Sequence, residues 1–483
     1  MASKYAAGYR GILRELRKSL DPSRKVNTDI KSHFRAVVEN ARQHPSDQAL
    51  VDLDNTILFL KSQREHKRLL ERYNPLHDLT EPERLKATAN RVGLNMPKLH
   101  SDPLGQPIFA SPDTIVVLKT AAHQLNTLHR TVVFPTETVY GLGAVATNAE
   151  AAAKIFATKS RPADNPLIVH VSSLEMLETL LPPGYEYTKA YRALIKHFWP
   201  GALTLLFPRN SDIIPNIITA GQASVAIRMP SHPVARALIA VSNSPLAAPS
   251  ANTSGKPSPT KAEHVARDLS GKVPIIIDGG ACGVGLESTV VDGLHEDGNI
   301  RVLRPGGITV EQIRQALEEE YQGGESVPKV LVHKRDYQDE EMEAAPTTPG
   351  MKYVHYSPAV PVTLLSTLSN PPSGTTRQPV RSFLRQISAT RPHPPKIGVL
   401  APSDSGIWKE IVACEGPSWH RFALGPISNP SLSAKRLFDG LLTLEAEGVD
   451  FILIEEIAET HEGLAVMNRV RKAAGEMVWL DYV

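Results

Sequence analysis

At 483 residues the chain is too long for one hydrophobic core. Its 41% hydrophobic and 22% charged content suits about two to four ordinary globular domains, not a disordered or fibrous chain. The net charge of +2 hides an asymmetry: residues 1–100 carry 19 Lys and Arg against 12 Asp and Glu, a balance of +7, while the remainder carries 34 against 39, a balance of −5. A basic arm on a mildly acidic body points to different partners for the two parts. No apolar run approaches the roughly 20 residues that span a bilayer. The two cysteines, Cys282 and Cys414, can build neither a disulfide framework nor a four-cysteine zinc site, so a reducing compartment is expected.

Residues 4–73 read as helices. Tyr9, Ile12, Leu13, Leu16 and Leu20 share one helical face, and Asp21-Pro22 ends it. Ile30, Phe34, Val37, Val38 and Ala41 repeat the pattern, and Leu50, Leu53, Ile57 and Leu60 begin a third helix. A small antiparallel helical bundle over residues 1–105 follows, with a linker near 103–112. From 113 to 310, short β-branched runs at 131–134, 167–171, 202–207, 224–227 and 274–277 alternate with helical stretches, which predicts an α/β domain. Residues 311–360 open with a helical turn and become polar, with Asp339-Glu340-Glu341, and read as a linker or lid outside the core. A Pro- and Ser-rich stretch at 371–395 reads as a flexible excursion. Alternation then resumes, so 361–483 is expected to be a second, smaller α/β domain.

Three motifs carry chemistry. Phe134-Pro135-Thr136-Glu137-Thr138-Val139-Tyr140-Gly141-Leu142-Gly143 runs from a strand into a turn whose glycines let a ligand approach the backbone and whose hydroxyls can bind it. Lys159-Ser160-Arg161-Pro162-Ala163-Asp164-Asn165-Pro166 follows. In an extended stretch Lys159 and Arg161 point to the same side, and Pro162 biases Arg161 toward that form. Two fixed cations suit a triphosphate, the arginine as a fork and the lysine as a point charge. Neither a P-loop nor the Rossmann glycine fingerprint is present, so a nucleotide site must be of another design. His170 lies on an apolar strand, where a lone histidine reads as a satisfied core residue. The third motif, Ala247-Ala248-Pro249-Ser250-Ala251-Asn252-Thr253-Ser254-Gly255-Lys256-Pro257-Ser258-Pro259-Thr260, is a loop of hydroxyls and amides that can hold phosphate or ribose oxygens.

Taken in order with Trp199-Pro200-Gly201-Ala202-Leu203-Thr204, Val225-Ala226-Ile227-Arg228-Met229-Pro230 and Glu287-Ser288-Thr289-Val290, these stretches resemble the YrdC-like L-threonylcarbamoyladenylate synthases over about residues 113–310. Tyr353-Val354-His355-Tyr356-Ser357-Pro358 and Gly463-Leu464-Ala465-Val466-Met467-Asn468-Arg469-Val470-Arg471-Lys472-Ala473 resemble the linker and the C-terminal domain of the family's long form. The resemblance implies a multidomain chain: an N-terminal helical bundle, a central YrdC-like twisted α/β sheet and a smaller Rossmann-like C-terminal domain. It implies a nucleotidyltransferase that joins L-threonine, bicarbonate and ATP for tRNA modification. ATP would meet Lys159, Arg161, Asn165, Ser224, Ser250, Ser258, Arg304 and Tyr356, with Lys159 and Arg161 the catalytic cations. Threonine would meet Thr138, His170, Arg228, Ala248 and Ser288. Mg²⁺ is expected on the phosphates, with no protein ligand assigned. Implied partners are the downstream tRNA-modification machinery and double-stranded RNA or tRNA. The competing reading is an RNA-binding module of the same fold without synthesis.

The arm has another kinship. Gly8-Tyr9-Arg10-Gly11-Ile12-Leu13 resembles the start of mitochondrial LYR-motif proteins, and Leu69-Leu70-Glu71-Arg72-Tyr73-Asn74-Pro75 with Val92-Gly93-Leu94 extends this toward the branch that assists F1 ATP-synthase assembly. Gly8 stands where that motif has leucine. Contact with F1 subunits is what this likeness implies. Glu15, Asp21 and Asp29 make the first 30 residues a poor presequence, so the expected residence is cytoplasmic with a mitochondrial pool.

Overall fold

The computed structural model describes residues 2–18, 28–43, 46–73, 108–109, 114–322, 325–333, 335–337, 355–389, 395–413 and 417–482. The chain divides into two units, Met1–Lys98 and Leu99–Val483. The expected linker near 103–112, the 92–94 stretch, Tyr353-Val354 and Cys414 lie wholly or mostly outside the described residues.

In the first unit, helices Ala2–Lys18, Thr28–Gln43 and Asp47–Tyr73 pack around Tyr5, Ile12, Val38 and Leu53. Helices one and three run the same way. The Tyr5 hydroxyl donates to the Ser46 carbonyl at 3.5 Å, and Arg64 Nε donates to Glu15 at 3.1 Å. The buried stripe of the first helix is Tyr5, Gly8, Gly11, Ile12 and Glu15, rotated from the expected Tyr9, Ile12, Leu13, Leu16 and Leu20, of which Tyr9 and Leu16 are half-buried at its edge. The glycines cause this. A Cβ on Gly11 would sit 2.6 Å from Ile57 Cδ1, and one on Gly8 3.3 Å from Leu53 Cδ1. The close helix crossing therefore leaves no room for a leucine at position 8.

Eleven strands of the second unit form one mixed sheet: β1 (Ile108–Phe109), β2 (Val132–Phe134), β3 (Gly141–Val145), β4 (Ile168–His170), β5 (Leu203–Pro208), β6 (Ser224–Arg228), β7 (Leu246–Ala247), β8 (Ile275–Ile276), β9 (Thr289–Asp292), β10 (Ile300–Arg304) and β11 (Val330–Val332). Their order is β1-β8-β2-β3-β7-β4-β6-β5-β9-β10-β11. Side chains alternate across a strand. Val133, Ala144 and Ala247 accordingly join the core under helices Ala149–Lys159, Lys189–Phe198 and Val310–Glu320, while Val132, Phe134, Val145 and Leu246 join the core under Thr114–Asn126 and Pro233–Ser242. With both faces covered, these strands are apolar throughout rather than alternating.

The reading of 311–360 as a segment outside the core is corrected for its first part. Thr309 and Gln312 form a capping box, the helix Val310–Glu320 buries Ile313, Ala316 and Leu317, and β11 extends the sheet in parallel with β10. Only four apolar side chains of the helix, Val310, Ile313, Ala316 and Leu317, and two of the strand, Val330 and Val332, are buried, too few to outweigh the surrounding polar composition in a sequence reading. Residues 338–354 lie outside the described residues.

A second sheet, all parallel, holds β12 (Val362–Ser366), β13 (Gln378–Pro379), β14 (Lys396–Ala401), β15 (Ser418–Ala423), β16 (Phe451–Glu455) and β17 (Glu476–Asp481), in the order β13-β17-β12-β16-β14-β15. The stretch 371–395, read as a flexible excursion, contains the helix Val380–Ala389. Its Val380, Phe383 and Leu384, at helical spacing, are buried against β14 and β17. Helices Pro430–Ala446 and Glu462–Ala473 cover the other face.

Candidate active site

A pocket opens where the parallel strands β4 and β6 end side by side. His170 and Arg228 are register partners there. Ile168 and His170, two residues apart on β4, both line it. The turn after β2 is held by Thr136. Its Oγ1 accepts from the amides of Thr138 and Val139 at 3.2 Å and donates to the Val139 carbonyl at 2.6 Å. This sets Thr138 Oγ1 2.8 Å from Arg228 Nη1, while Arg228 Nη2 pairs with Glu137 and Nε donates to the Gly201 carbonyl at 3.0 Å. Burial pushes the Glu137 carboxyl up, but Arg228 outweighs it and holds the group below its ordinary value. Burial, reinforced by Arg228, lowers the His170 ring to about 3, so it is neutral at physiological pH.

Lys159 closes the helix Ala149–Lys159. Ser160 adopts the left-handed conformation at φ 51°, which stops the helix and redirects Arg161. The two cations thus reach the same pocket through a helix end and a left-handed turn, not through the extended stretch expected from their spacing. Lys159 Nζ donates to the carbonyls of Ser250 and Asn252, the latter at 2.5 Å. Arg161 donates to the carbonyls of Asn165 at 3.2 Å and Pro166 at 2.9 Å. Among the described residues neither cation forms an ion pair with a carboxylate. Burial, with Arg161 alongside, drives Lys159 well below its ordinary value; burial, with Arg304 alongside, lowers Arg161 to about 10. A bound polyanion would reverse both shifts.

Arg304, at the end of β10, donates to the Ser288 carbonyl at 2.9 Å through Nη2, and Ser288 Oγ lies 2.7 Å from Thr204 Oγ1. Beside Ser288, Glu287 accepts from Ser258 Oγ at 2.5 Å and from Arg469 Nε and Nη2, each at 3.1 Å. The chain returns to the pocket at His355 and Tyr356, where the Ser357 amide donates to the Gly255 carbonyl at 2.9 Å. Tyr356 lines the pocket, and its ring centroid lies 5.2 Å from that of Phe438 on the C-terminal side. The residue therefore clasps the two sheets together as well as bordering the pocket.

Of the residues singled out in the sequence, Thr138, Lys159, Arg161, His170, Arg228, Ala248, Ser250, Ser258, Ser288, Arg304 and Tyr356 line one pocket, open to solvent. Convergent polar groups around one concave site suit a small molecule. Asn165 and Ser224 do not line it. Asn165 is buried behind Arg161, to which it gives its carbonyl. Ser224 begins β6, four residues from Arg228, roughly 13 Å along the strand. Sequence reasoning missed the polar lining residues Thr136, Asn252, Ser254, Lys256, Glu287 and His355. All six stand in the quoted motifs, so the motifs and many of their inward-facing side chains were legible, while these six needed the fold.

No group of three or more His, Cys, Asp or Glu side chains among the described residues could hold a metal ion, and Glu137 and Glu287 are each committed to an arginine. The residues present do not fit a resident metal. No helix among the described residues is long and apolar enough to cross a membrane.

The mixed α/β sheet with its cation-lined pocket is the part of the chain that falls in the YrdC-like class. Residues 128–306 match the Sua5–YciO–YrdC family, described as "Telomere recombination"; 308–475 match the threonylcarbamoyl-AMP synthase C-terminal domain; 6–95 match the Complex1_LYR-like family. The chain is 45% identical to the threonylcarbamoyl-AMP synthase of Schizosaccharomyces pombe, over 75% of this chain and 89% of that protein. It is 43% identical to that of Bacillus subtilis, over 72% and 90%. A crystal structure of P. abyssi Sua5 complexed with L-threonine is 37% identical and superimposes with a TM-score of 0.62, over 77% of this chain and 98% of that one. The chain belongs to the threonylcarbamoyl-AMP synthase family and is an enzyme of that nucleotidyltransferase kind.

Proposed function

We propose that the pocket makes L-threonylcarbamoyladenylate and pyrophosphate from L-threonine, bicarbonate and ATP, for N6-threonylcarbamoyladenosine modification of tRNA beside the anticodon. The observation that carries this is the distribution of charge. Arg228 is tied to Glu137 and stands with Thr138 and the neutral His170, whereas Lys159 and Arg161 are held only by carbonyl oxygens. The first group suits the carboxylate, hydroxyl and amine of an amino acid. The second suits the phosphates of ATP, which arrives with its own Mg²⁺.

The threonine amine combines with bicarbonate, losing water, to give N-carboxythreonine. A carboxylate oxygen of that carbamate attacks the α-phosphorus. The new O–P bond forms as the bond to the bridging oxygen breaks, and pyrophosphate leaves with the electron pair. This chemistry needs alignment and charge stabilisation, with no covalent enzyme intermediate. Arg228 orients threonine through its carboxylate. Lys159, Arg161 and Arg304 hold the phosphates and stabilise the charge developing on pyrophosphate. The full chain incubated with ATP, threonine and bicarbonate should release pyrophosphate in proportion to threonine. Release that ignores threonine would return the RNA-binding reading.

For the N-terminal unit the Complex1_LYR-like match supports a docking role. Mitochondrial F1 subunits are the partner proposed, beside a mainly cytoplasmic synthase. Fractionation of cells followed by blotting for the full-length chain tests this.

A further inference from the structure

Arg469 does not itself line the pocket, yet it is fully buried, at 0% exposure, the largest such side chain among the described residues. It sits on the helix Glu462–Ala473, where Val466, Met467, Val470 and Ala473 face the C-terminal core. An apolar side chain would continue that stripe. Instead, Arg469 donates from Nε and Nη2 to one oxygen of Glu287, from Nη1 to the Pro305 carbonyl, and lies 5.7 Å over the Tyr356 ring. Glu287 does line the pocket. It acts electrostatically on Lys159, Arg304 and Tyr356, and its other oxygen accepts from Ser258 Oγ.

We propose that Arg469 is a positioning residue for the reaction: the C-terminal domain supplies its guanidinium to neutralise Glu287, which keeps Arg304 and Lys159 available to the triphosphate. This rests on the ATP reading of the pocket given above. A buried carboxylate without its partner recruits whatever cation is near. Without Arg469, Glu287 is left facing Arg304 and Lys159, and a polyanion entering the pocket must compete with it for them. The 11-stranded sheet alone carries the carboxylate but not its counter-charge. The second domain thus completes the electrostatics of a pocket it does not line at this position. The same pair fixes Ser258 through Glu287 and borders Tyr356, so the charge and the shape of the pocket are set together.

The experiment compares ATP binding, by calorimetric titration, in the full-length wild type, Arg469→Met, Glu287→Gln and the double variant, with thermal melting to confirm folding. Arg469→Met should weaken ATP binding by about tenfold or more, as truncating one partner of a buried charge pair does. Adding Glu287→Gln should recover most of that loss, because the double variant leaves no charge unpaired. Wild-type ATP affinity in a folded Arg469→Met would overturn the proposal. So would a double variant that stays as weak as Arg469→Met, or one that does not fold, since the arginine would then serve packing and not counter-charge. If Arg469→Met alone does not fold, the double variant decides: binding within about threefold of wild type supports the proposal and a tenfold loss overturns it. A wild type that binds no ATP would overturn the reading of the pocket itself, and this inference with it.

Discussion

In the parallel six-stranded sheet, the carboxyl ends of β12 and β16 carry Ser366, Glu455 and Glu456. Glu456 accepts from Ser366 Oγ at 2.7 Å and from the amides of Leu368 and Ser369 at 3.0 Å, and the Tyr482 hydroxyl donates to Glu455 at 2.8 Å. In the eleven-stranded sheet, the ends of β4 and β6 carry His170 and Arg228, with Lys159 and Arg161 beside them bonded only to carbonyl oxygens. Open α/β sheets bind ligands beyond the carboxyl ends of their strands. By that rule either sheet could hold the site. The difference is charge: at the C-terminal sheet Glu456 is met by hydroxyl and amide donors with Arg471 at 3.8 Å, and Glu455 by a hydroxyl, while the central sheet gathers cations without enough carboxylate to match. Unbalanced buried charge, more than topology, marks where an anionic substrate goes.

The severest test of that contrast is Arg228→Met. It leaves Glu137 buried without its counter-charge, which should cost about 3–5 kcal/mol in urea unfolding. Threonine-dependent pyrophosphate release should vanish. Adding Glu137→Gln should restore most of the stability but not the activity. An unchanged unfolding midpoint in the single variant would mean the pair does not form in solution.

Lys159→Ala comes next. Its effect on kcat/KM for ATP should be about 2–3 kcal/mol, the scale of a lost charge-assisted contact. Because Lys159 is buried between two carbonyls, stability should also fall, by about 1–3 kcal/mol. Arg161→Ala should show a similar kinetic loss with a smaller fall in melting temperature. Equal melting losses in the two variants would contradict the difference in their burial.

On the C-terminal side the sharpening variant is Glu455→Gln. Burial pushes the Glu455 carboxyl up to about 7, from an ordinary 4.5. Below about pH 4.5 the group is protonated whether folded or unfolded and costs nothing. Between 4.5 and 7 the unfolded chain ionises first, so stability falls as pH rises, by an amount on the order of 1–3 kcal/mol. Glu455→Gln should therefore gain more over wild type at pH 8 than at pH 5, and urea midpoints at the two values measure it. A gain independent of pH would remove the argument.

The smallest effect is expected in the N-terminal unit. Gly8→Ala gains helix propensity of about 1 kcal/mol and meets only the movable end of Leu53, so the net change should stay within about 1 kcal/mol of zero. Gly11→Ala, facing Ile57 Cδ1 at 2.6 Å, should be the worse of the two, and thermal melts of both variants rank them.

Local patterns in the sequence were sufficient for three helices at the start, β-branched strands between helices in the middle and the renewed α/β alternation of the C-terminal part. Propensity, period and turn chemistry act over a few residues, and these elements obey them. The motif order likewise brought most of the pocket's polar residues into view. Tertiary structure alone decided which face of the first helix is buried, because the stripe through Gly8 and Gly11 is set by how near a second helix comes. It decided that the helices at 310–320 and 380–389 belong to cores, because a handful of apolar side chains counts only once a sheet lies beneath them. It decided, too, that Lys159 and Arg161 meet through a left-handed turn at Ser160, and that Glu287 pairs with Arg469, 182 residues further on. A buried charge must find its partner wherever the fold provides one, and that distance along the chain is invisible to any local pattern.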